Sequence, residues 1–354
     1  MRVIYNLDCR LHDPPHEILS GQLVDYLESP SRLDYILKAL TTDPIFELSD
    51  AIEESIDLNK YILQVHDKDY LSYLETAYER WVEDGGDKSA VLPETFAHHA
   101  LLASKPTNPE NLSPCAKAGL YCFDLSCPIM SRTYEATLAS LRVVLTAASQ
   151  LDLEKSNGIF ALCRPPGHHA GLSTCGGYCF LNNISIAARF LQSRITSSEK
   201  RARMAILDID YHHGNGTQQI FYDDPSVLYV SLHAENDYPY FTGTALETGT
   251  GDGEKTTVNF PLPRRTTGDD EYCQTLERAV AIIREYDPVC VLVSLGVDTY
   301  MDDPICEFKI TTPGYKRIGE IIGSIGKPAL FVMEGGYHLE TLGENVANVL
   351  RGFN

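Results

Sequence analysis

The stretch Met204-Ala205-Ile206-Leu207-Asp208-Ile209-Asp210-Tyr211-His212-His213-Gly214-Asn215-Gly216 decides the fold. Its first four residues are an apolar run, too short for a helix and preceded by charge, and they read as a buried strand. The acids and histidines therefore fall at the strand's carboxyl end. In open parallel α/β sheets that end borders the ligand crevice. In extended chain, residues i and i+2 share a face, so Asp208, Asp210 and His212 are expected to point the same way. A carboxylate and an imidazole at this spacing are zinc ligands available without a proton near neutral pH. A lone Asp-x-His on a turn is ordinarily a solvated pair. Two His and two Asp within six residues, beside a buried strand, point more strongly to a metal site.

The rest of the chain fits a single α/β domain over residues 1–354. Apolar residues make up 44% and charged residues 22% of the 354, a globular balance. The opening Met1-Arg2-Val3-Ile4-Tyr5-Asn6 reads as a strand, not a signal peptide, and no apolar run is long enough to span a membrane. Ten Cys without a Cys-x-x-Cys pair read as reduced, buried thiols of an intracellular protein. With no nuclear localisation run in view, the cytoplasm is the default location. A net charge of −20 repels nucleic acid and suits a polyamine or basic peptide. Lys200-Arg201-Ala202-Arg203 is short and reads as a solvated helix end, not a basic patch.

Helices are expected over residues 29–40 and from Asp67 to Trp81, with His66 a structural residue at the second helix's entry. Residues 83–130 read as one long irregular insertion. It carries His98-His99, which lacks acids at ligand spacing and is read as surface. A helix over 133–150 follows. Strands then alternate with helices: strand 158–163, helix 183–193, strands 204–209 and 227–232, helix 271–285, strand 289–295, helix 314–324, strand 328–333 and helix 340–351. That alternation predicts a central parallel sheet flanked by helices.

Four strands deliver polar residues to the same sheet end. Phe160-Ala161-Leu162-Cys163 leads through Arg164-Pro165-Pro166-Gly167 to His168-His169. Val291-Leu292-Val293-Ser294-Leu295 leads to Asp298. Leu330-Phe331-Val332-Met333 breaks at Glu334-Gly335-Gly336 and presents Tyr337. Asp210, His212 and Asp298 supply three zinc ligands, leaving a position open as catalytic sites require. His168 and His169 serve as general base and acid, and Tyr337 as a donor to an oxyanion. Asp208 and Asn215 are left to orient the two imidazoles. The chemistry that assembles is metal-assisted hydrolysis of an amide.

These motifs resemble the zinc-dependent histone deacetylase superfamily, and most closely its acetylpolyamine amidohydrolase branch. The resemblance rests on Arg164-Pro165-Pro166-Gly167-His168-His169-Ala170, Gly176-Gly177-Tyr178-Cys179-Phe180-Leu181-Asn182-Asn183, Asp208 to Thr217, Gly296-Val297-Asp298-Thr299 and Glu334-Gly335-Gly336-Tyr337. It implies an arginase-like α/β fold and zinc, or another divalent transition metal, on Asp210, His212 and Asp298. It makes His169 the main proton-transfer residue, His168 its electrostatic partner, and Tyr337 the group that polarises the acetyl carbonyl. It also implies two potassium sites. One uses Asp208 with backbone oxygens of Asp210 and His212, plus Ser231 and Leu232; the other lies around Phe221, Asp224 and Val227. Gly177 and Tyr178, with Tyr238 opposite, would wall a tunnel for the substrate's methylene chain.

Two departures stand out. Asn215 takes the place of an Asp found in many nuclear-type members, which lowers the expected pKa of His169. Cys115 and Ser126 stand where the polyamine-specific members carry acids in the long loop, with Asp124 nearby. The implied substrate is an acetylated polyamine or an acetyl-lysine, the implied assembly a homodimer built on the same loop. An arginase-type ureohydrolase needs more bridging carboxylates than Asp208, Asp210 and Asp298 and leaves Tyr337 idle. A non-catalytic binding protein on this fold would ordinarily have lost a ligand, a histidine or the tyrosine.

Overall fold

The computed structural model describes residues 1–98, 101–102, 109–195 and 201–354. In chain order the elements are β1 (Arg2–Tyr5), β2 (His16–Leu19), β3 (Gln22–Asp25), α1 (Ser31–Thr41), β4 (Glu47–Ser49), α2 (Leu58–Ile62), α3 (Lys68–Glu83), α4 (Pro114–Tyr121) and α5 (Thr133–Gln150). There follow β5 (Gly158–Leu162), α6 (Asn183–Arg194), β6 (Met204–Asp208), α7 (Asn215–Phe221), β7 (Val227–Ala234), β8 (Thr257–Leu262), α8 (Asp269–Tyr286), β9 (Cys290–Leu295), α9 (Thr312–Gly323), β10 (Ala329–Met333) and α10 (Leu339–Phe353).

Eight strands form one sheet in the order β4-β1-β5-β10-β9-β6-β7-β8, with every pairing parallel. Parallel sheets are covered on both faces, so their strands read as continuous apolar runs. Accordingly, every residue of β6, β7, β9 and β10 is buried. Helices α1, α8, α9 and α10 pack on one another as one group, and α2, α5, α6 and α7 as another. Local chemistry starts the helices where the strands' return paths demand it. Asn182 caps α6 by accepting the Ser185 N–H at 3.1 Å, and Thr311 caps α9 by accepting the Gly314 N–H at 3.2 Å with Pro313 in the first turn. No described helix is long and apolar enough to cross a membrane.

The sheet order brings β5, β10, β9 and β6 side by side, so the four strand ends singled out in the sequence are consecutive neighbours. Register keeps them level: Asp208 lies opposite Ser294 on β9 and Ser231 on β7, and Met333 lies opposite Leu295.

The main sequence-derived elements are found within about three residues of their expected ends. Several short ones were missing from that reading: the β2–β3 hairpin, the three-residue edge strand β4, α2, α7 and β8. The hairpin had a signal. Ser20 (φ 51°) and Gly21 (φ 77°) form a two-residue turn with both angles positive, as tight hairpins prefer. The expectation that residues 83–130 are irregular is corrected by α4, whose apolar side packs against α3, and by the antiparallel bridge between Val91 and Ile129. Of the His98-His99 pair, His98 is exposed and His99 lies outside the described residues. Lys200 also lies outside them, and Arg201 and Arg203 are in irregular chain, not at a helix end, paired with Asp224 and Asp287. His66 is buried and accepts the Asn182 N–H at Nε2. All ten thiols are free and only Cys115 is not buried.

Because Leu292 is fully buried in a central strand, Leu292→Ala should lose about 2–5 kcal/mol of stability. Leu246→Ala, at a side chain that is 90% exposed, should change it by less than about 0.5 kcal/mol. Urea midpoints of the two variants at equal m-value check this; equal midpoints would contradict the packing described.

Candidate active site

β6 ends at Asp208, so Asp210 and His212 lie in the loop beyond it. Strand alternation therefore does not aim them, contrary to the expectation from i, i+2 spacing. Hydrogen bonds do. Asp210 Oδ1 accepts the His212 N–H at 2.9 Å, and its Oδ2 accepts the Gly335 N–H at 2.8 Å. Asp298 Oδ1 accepts the Tyr211 N–H at 2.9 Å. A Cβ at Gly335 would stand 2.5 Å from Asp298 Oδ2 and 2.7 Å from Asp210 Oδ2, so only glycine lets that backbone approach the two carboxylates.

His212 Nδ1 sits 3.1 Å from Asp298 Oδ2 and 3.3 Å from Asp210 Oδ1. Ligands bound at about 2.0–2.1 Å around a tetrahedral zinc are separated by about 3.3 Å, so these spacings fit one ion. The electrostatics agree. Burial and the charge of Asp210 push Asp298 up, while His168 and His212 outweigh burial at Asp210 and hold that carboxyl down, so the two carboxylates share their counter-charge unequally. Cys306, which the sequence reading passed over, brings its thiol within 3.9 Å of His212 Nε2. His212, Asp298 and Cys306 offer donor atoms within 4.8 Å of one another, and so do His168, Cys179 and Glu334. In the latter group, Glu334 Oε2 is already engaged by the N–H groups of Gly167 (2.7 Å) and His168 (3.2 Å).

The tandem imidazoles have unlike partners. His168 Nδ1 donates to Asp208 Oδ2 at 3.1 Å, and His169 Nδ1 donates to Asn215 Oδ1 at 2.8 Å. Burial disfavours a charged His168, but Asp210 and Asp208 outweigh it and push the imidazole up to about 10. His169 is held well below its ordinary value by burial first, then by the charges of His168 and His212. Each Nδ1 faces an oxygen acceptor and is placed as a donor, which leaves Nε2 of His169 as its basic nitrogen.

Tyr337 is placed by its backbone. Its N–H donates to Asp303 Oδ2 at 2.9 Å, and its ring lies 5.2 Å from the Arg32 guanidinium. Arg32 in turn donates to the Glu334 carbonyl (2.5 Å), the Gly336 carbonyl (2.8 Å) and Glu28. Burial pushes the Tyr337 phenol up, so it keeps its proton and can donate it.

These groups open onto a cleft of about 400 Å³ whose lining includes His169, His212, Tyr337, Gly177, Tyr178 and Tyr238. Gly177 and Tyr178 both adopt positive φ (54° and 66°), which is uncommon for a bulky side chain. The Tyr178 hydroxyl holds its ring there by donating to Glu17 Oε2 at 2.8 Å. Glu17 comes from the β2–β3 hairpin and reaches the cleft with Asp237, Glu307 and Arg264. Nothing in the sequence marked Glu17, because its placement depends on where the hairpin docks.

The residues singled out for potassium fall into two groups, one where Asp208 lies opposite Ser231 and one in the turn from Phe221 to Val227. Asp208 Oδ2 also accepts the Tyr229 hydroxyl at 3.1 Å, and Ser231 Oγ pairs with His233 Nδ1 at 2.8 Å beside the buried Leu232. Around Phe221 and Val227 the backbone turns through Asp224, whose carboxylate takes the guanidinium groups of Arg189 (2.7 Å) and Arg201 (3.3 Å).

Comparison with known proteins is consistent along the whole chain. A histone deacetylase domain model matches residues 26–353. The chain is 40% identical over 357 residues to acetylpolyamine amidohydrolase 2 of Pseudomonas aeruginosa, covering 100% of this chain and 98% of that one. It is 38% identical over 354 residues to the acetylpolyamine amidohydrolase of Mycoplana ramosa, covering 99% of each. Among solved structures, the acetylpolyamine aminohydrolase from Burkholderia pseudomallei superimposes with a TM-score of 0.89 at 34% identity, over 100% of this chain and 98% of that one.

The neutral partner of His169 generates a prediction. A base works only above its own pKa, so the acid limb of the rate profile should lie below the ordinary imidazole range. Asn215→Asp places a negative charge against Nδ1, favours the protonated ring and should move that limb to higher pH. A kcat/KM profile of the variant whose acid limb is no higher than the wild type's would contradict this.

Proposed function

The chain belongs to the histone deacetylase family and is a hydrolytic deacetylase, and we propose that it removes the acetyl group from an N-acetylated polyamine. The family is zinc-dependent in general. In this reading Asp210, His212 and Asp298 would hold the ion, which would supply a Lewis acid for the amide carbonyl.

The remaining work falls to the chain's own groups. Tyr178 and Tyr238 flank the methylene chain, since aromatic faces suit an aliphatic stem. Tyr337 donates its phenolic proton to the acetyl oxygen, whose charge grows as the carbonyl carbon becomes tetrahedral. His169 Nε2 takes a proton from the attacking water and returns it to the departing amine nitrogen. His168, whose Nδ1 donates to Asp208, would favour the developing negative charge next to it. Acetate and the free amine are the products.

The observation that carries the substrate reading is the cleft's acidic lining. Glu17, Asp237 and Glu307 line it with Arg264, which pairs with Asp237 at 3.1 Å and Glu307 at 2.9 Å, so the lining carries three acids to one cation. An extended polycation is matched by that lining and by a net charge of −20. The names of the full-length relatives agree. Two potassium ions belong to the same reading. One would use Asp208 with the backbone oxygens of Asp210 and His212, plus Ser231 and Leu232; the other would lie around Phe221, Asp224 and Val227. A homodimer built on residues 83–130, where Leu101 is 70% exposed, completes it.

The test compares kcat/KM for acetylputrescine and acetylspermidine with that for an acetyl-lysine peptide on one zinc-loaded preparation, following acetate release. We expect a preference of tenfold or more for the polyamines, about 1.4 kcal/mol of differential transition-state binding. A tenfold preference for the peptide would instead make the protein a lysine deacetylase.

A further inference from the structure

Asp124 stands in the connection after α4, beside Ser126, where the sequence placed the acid nearest the polyamine-reading positions. Its carboxylate does not face the cleft as a free charge. Oδ2 accepts the Gly177 N–H at 2.9 Å and the Tyr238 hydroxyl at 2.5 Å. Oδ1 accepts the Ser126 N–H at 3.0 Å and the Ser126 hydroxyl at 2.9 Å. Ser126 Oγ then accepts the Tyr178 N–H at 3.3 Å. A carboxylate offers about four lone-pair positions, and here four donor contacts occupy them. No capacity is left to receive a substrate ammonium.

What the carboxylate does instead is join two walls. Gly177 and Tyr178 come from the loop after β5, and Tyr238 from the loop after β7. These loops leave strands at different positions in the sheet, and no ladder connects them. Tyr238 lies edge-on to His169 at 5.0 Å and to His212 at 5.8 Å, with Phe123 stacked at 6.4 Å on its other side. A Cβ on Gly177 would come within 2.9 Å of the Tyr238 hydroxyl oxygen, so the two walls already touch at this point. Where the walls touch, a charge-assisted hydrogen bond, which is short and directional, ties them through Asp124. Burial and the adjacent Asp124 charge keep the Tyr238 proton in place as the donor.

We propose that Asp124 is a positioning residue that latches Tyr238 to the Gly177–Tyr178 wall, and that this latch admits only acyl amines on unbranched chains. The inference rests on the acetylpolyamine reading for its substrate and on the geometry above for the latch. A cation-binding acid would act on charge; a latch acts on shape.

The test is a two-residue cycle read as a ratio. In zinc-loaded wild type, Asp124→Ala, Tyr238→Phe and the double variant, kcat/KM is measured for acetylputrescine and for its analogue with a methyl branch on the butyl chain. The wild type should prefer the unbranched chain by tenfold or more. Each single variant should reduce that preference by at least threefold, and the double variant should go no further than the singles, because both remove the same bond. Tyr238→Phe keeps the ring and its packing, so it reports on the latch even where Asp124→Ala folds poorly. A merely structural role would lower both substrates alike and leave the ratio fixed; that result, or effects that multiply in the double variant, overturns the proposal. If the wild type fails to hydrolyse acetylputrescine, the polyamine reading fails. The latch is then decided by the affinities of a linear and a branched aliphatic hydroxamate for the same four zinc-loaded proteins, with the same ratio expected to narrow.

Discussion

Three carboxylates buried at the carboxyl ends of neighbouring parallel strands are the constraint around which this molecule is arranged. Asp208, Asp210 and Asp298 are at most 1% exposed. Two like charges about 4 Å apart at an effective dielectric near 20 repel by about 4 kcal/mol, so such a cluster must be countered. The chain counters it in layers. Backbone N–H groups of Tyr211, His212 and Gly335 donate to the carboxylates, His168 carries a proton against Asp208, and His212 lies between Asp210 and Asp298. A divalent ion held between Asp210, His212 and Asp298 would add positive charge to the same cluster. A second buried assembly supports the first: Arg32 and Arg164 pair with the fully buried Glu28, and Arg32 fixes the carbonyls on either side of Gly335. Breaking such a buried pair leaves a stranded charge, so this arrangement works as a unit.

How the sequence revealed all this depended on burial. Strands β5, β6, β9 and β10 are legible because both their faces are covered, which forces continuous apolar runs that end abruptly in acids, histidines or glycines. The convergence of Asp210, His212, Asp298, His168, His169 and Tyr337 was therefore readable from strand ends alone, although the reason Asp210 and His212 converge is loop hydrogen bonding and not strand alternation. Elements of few residues left no such mark. The edge strand β4, with three residues, and α7, with seven, are held by their neighbours and not by their own pattern. Glu17, Asp303 and Cys306 escaped for a different reason. Each reaches the site through the docking of a hairpin or loop, and no local spacing encodes docking.

The site therefore has two strata with different origins. The floor, made by strand ends, is rigid and shared across the sheet. The walls come from loops and a hairpin that meet only through side chains: Glu17 with Tyr178, Asp124 with Tyr238, and Arg264 with Asp237 and Glu307. On the proposed reading, chemistry would depend on the floor and selectivity on the walls, a division that lets a parallel α/β scaffold serve different substrates without altering its core.

The central claim is that the strand-end cluster holds the ion on which hydrolysis depends. The most direct measurement is zinc content per chain, by elemental analysis of purified wild type, Asp210→Ala and Tyr337→Phe, with acetate release measured on the same samples. About one zinc is expected in the wild type and little in Asp210→Ala. Tyr337→Phe is expected to retain its zinc while losing on the order of a hundredfold or more in kcat. Asp210→Ala that keeps both its zinc and its activity would contradict the claim.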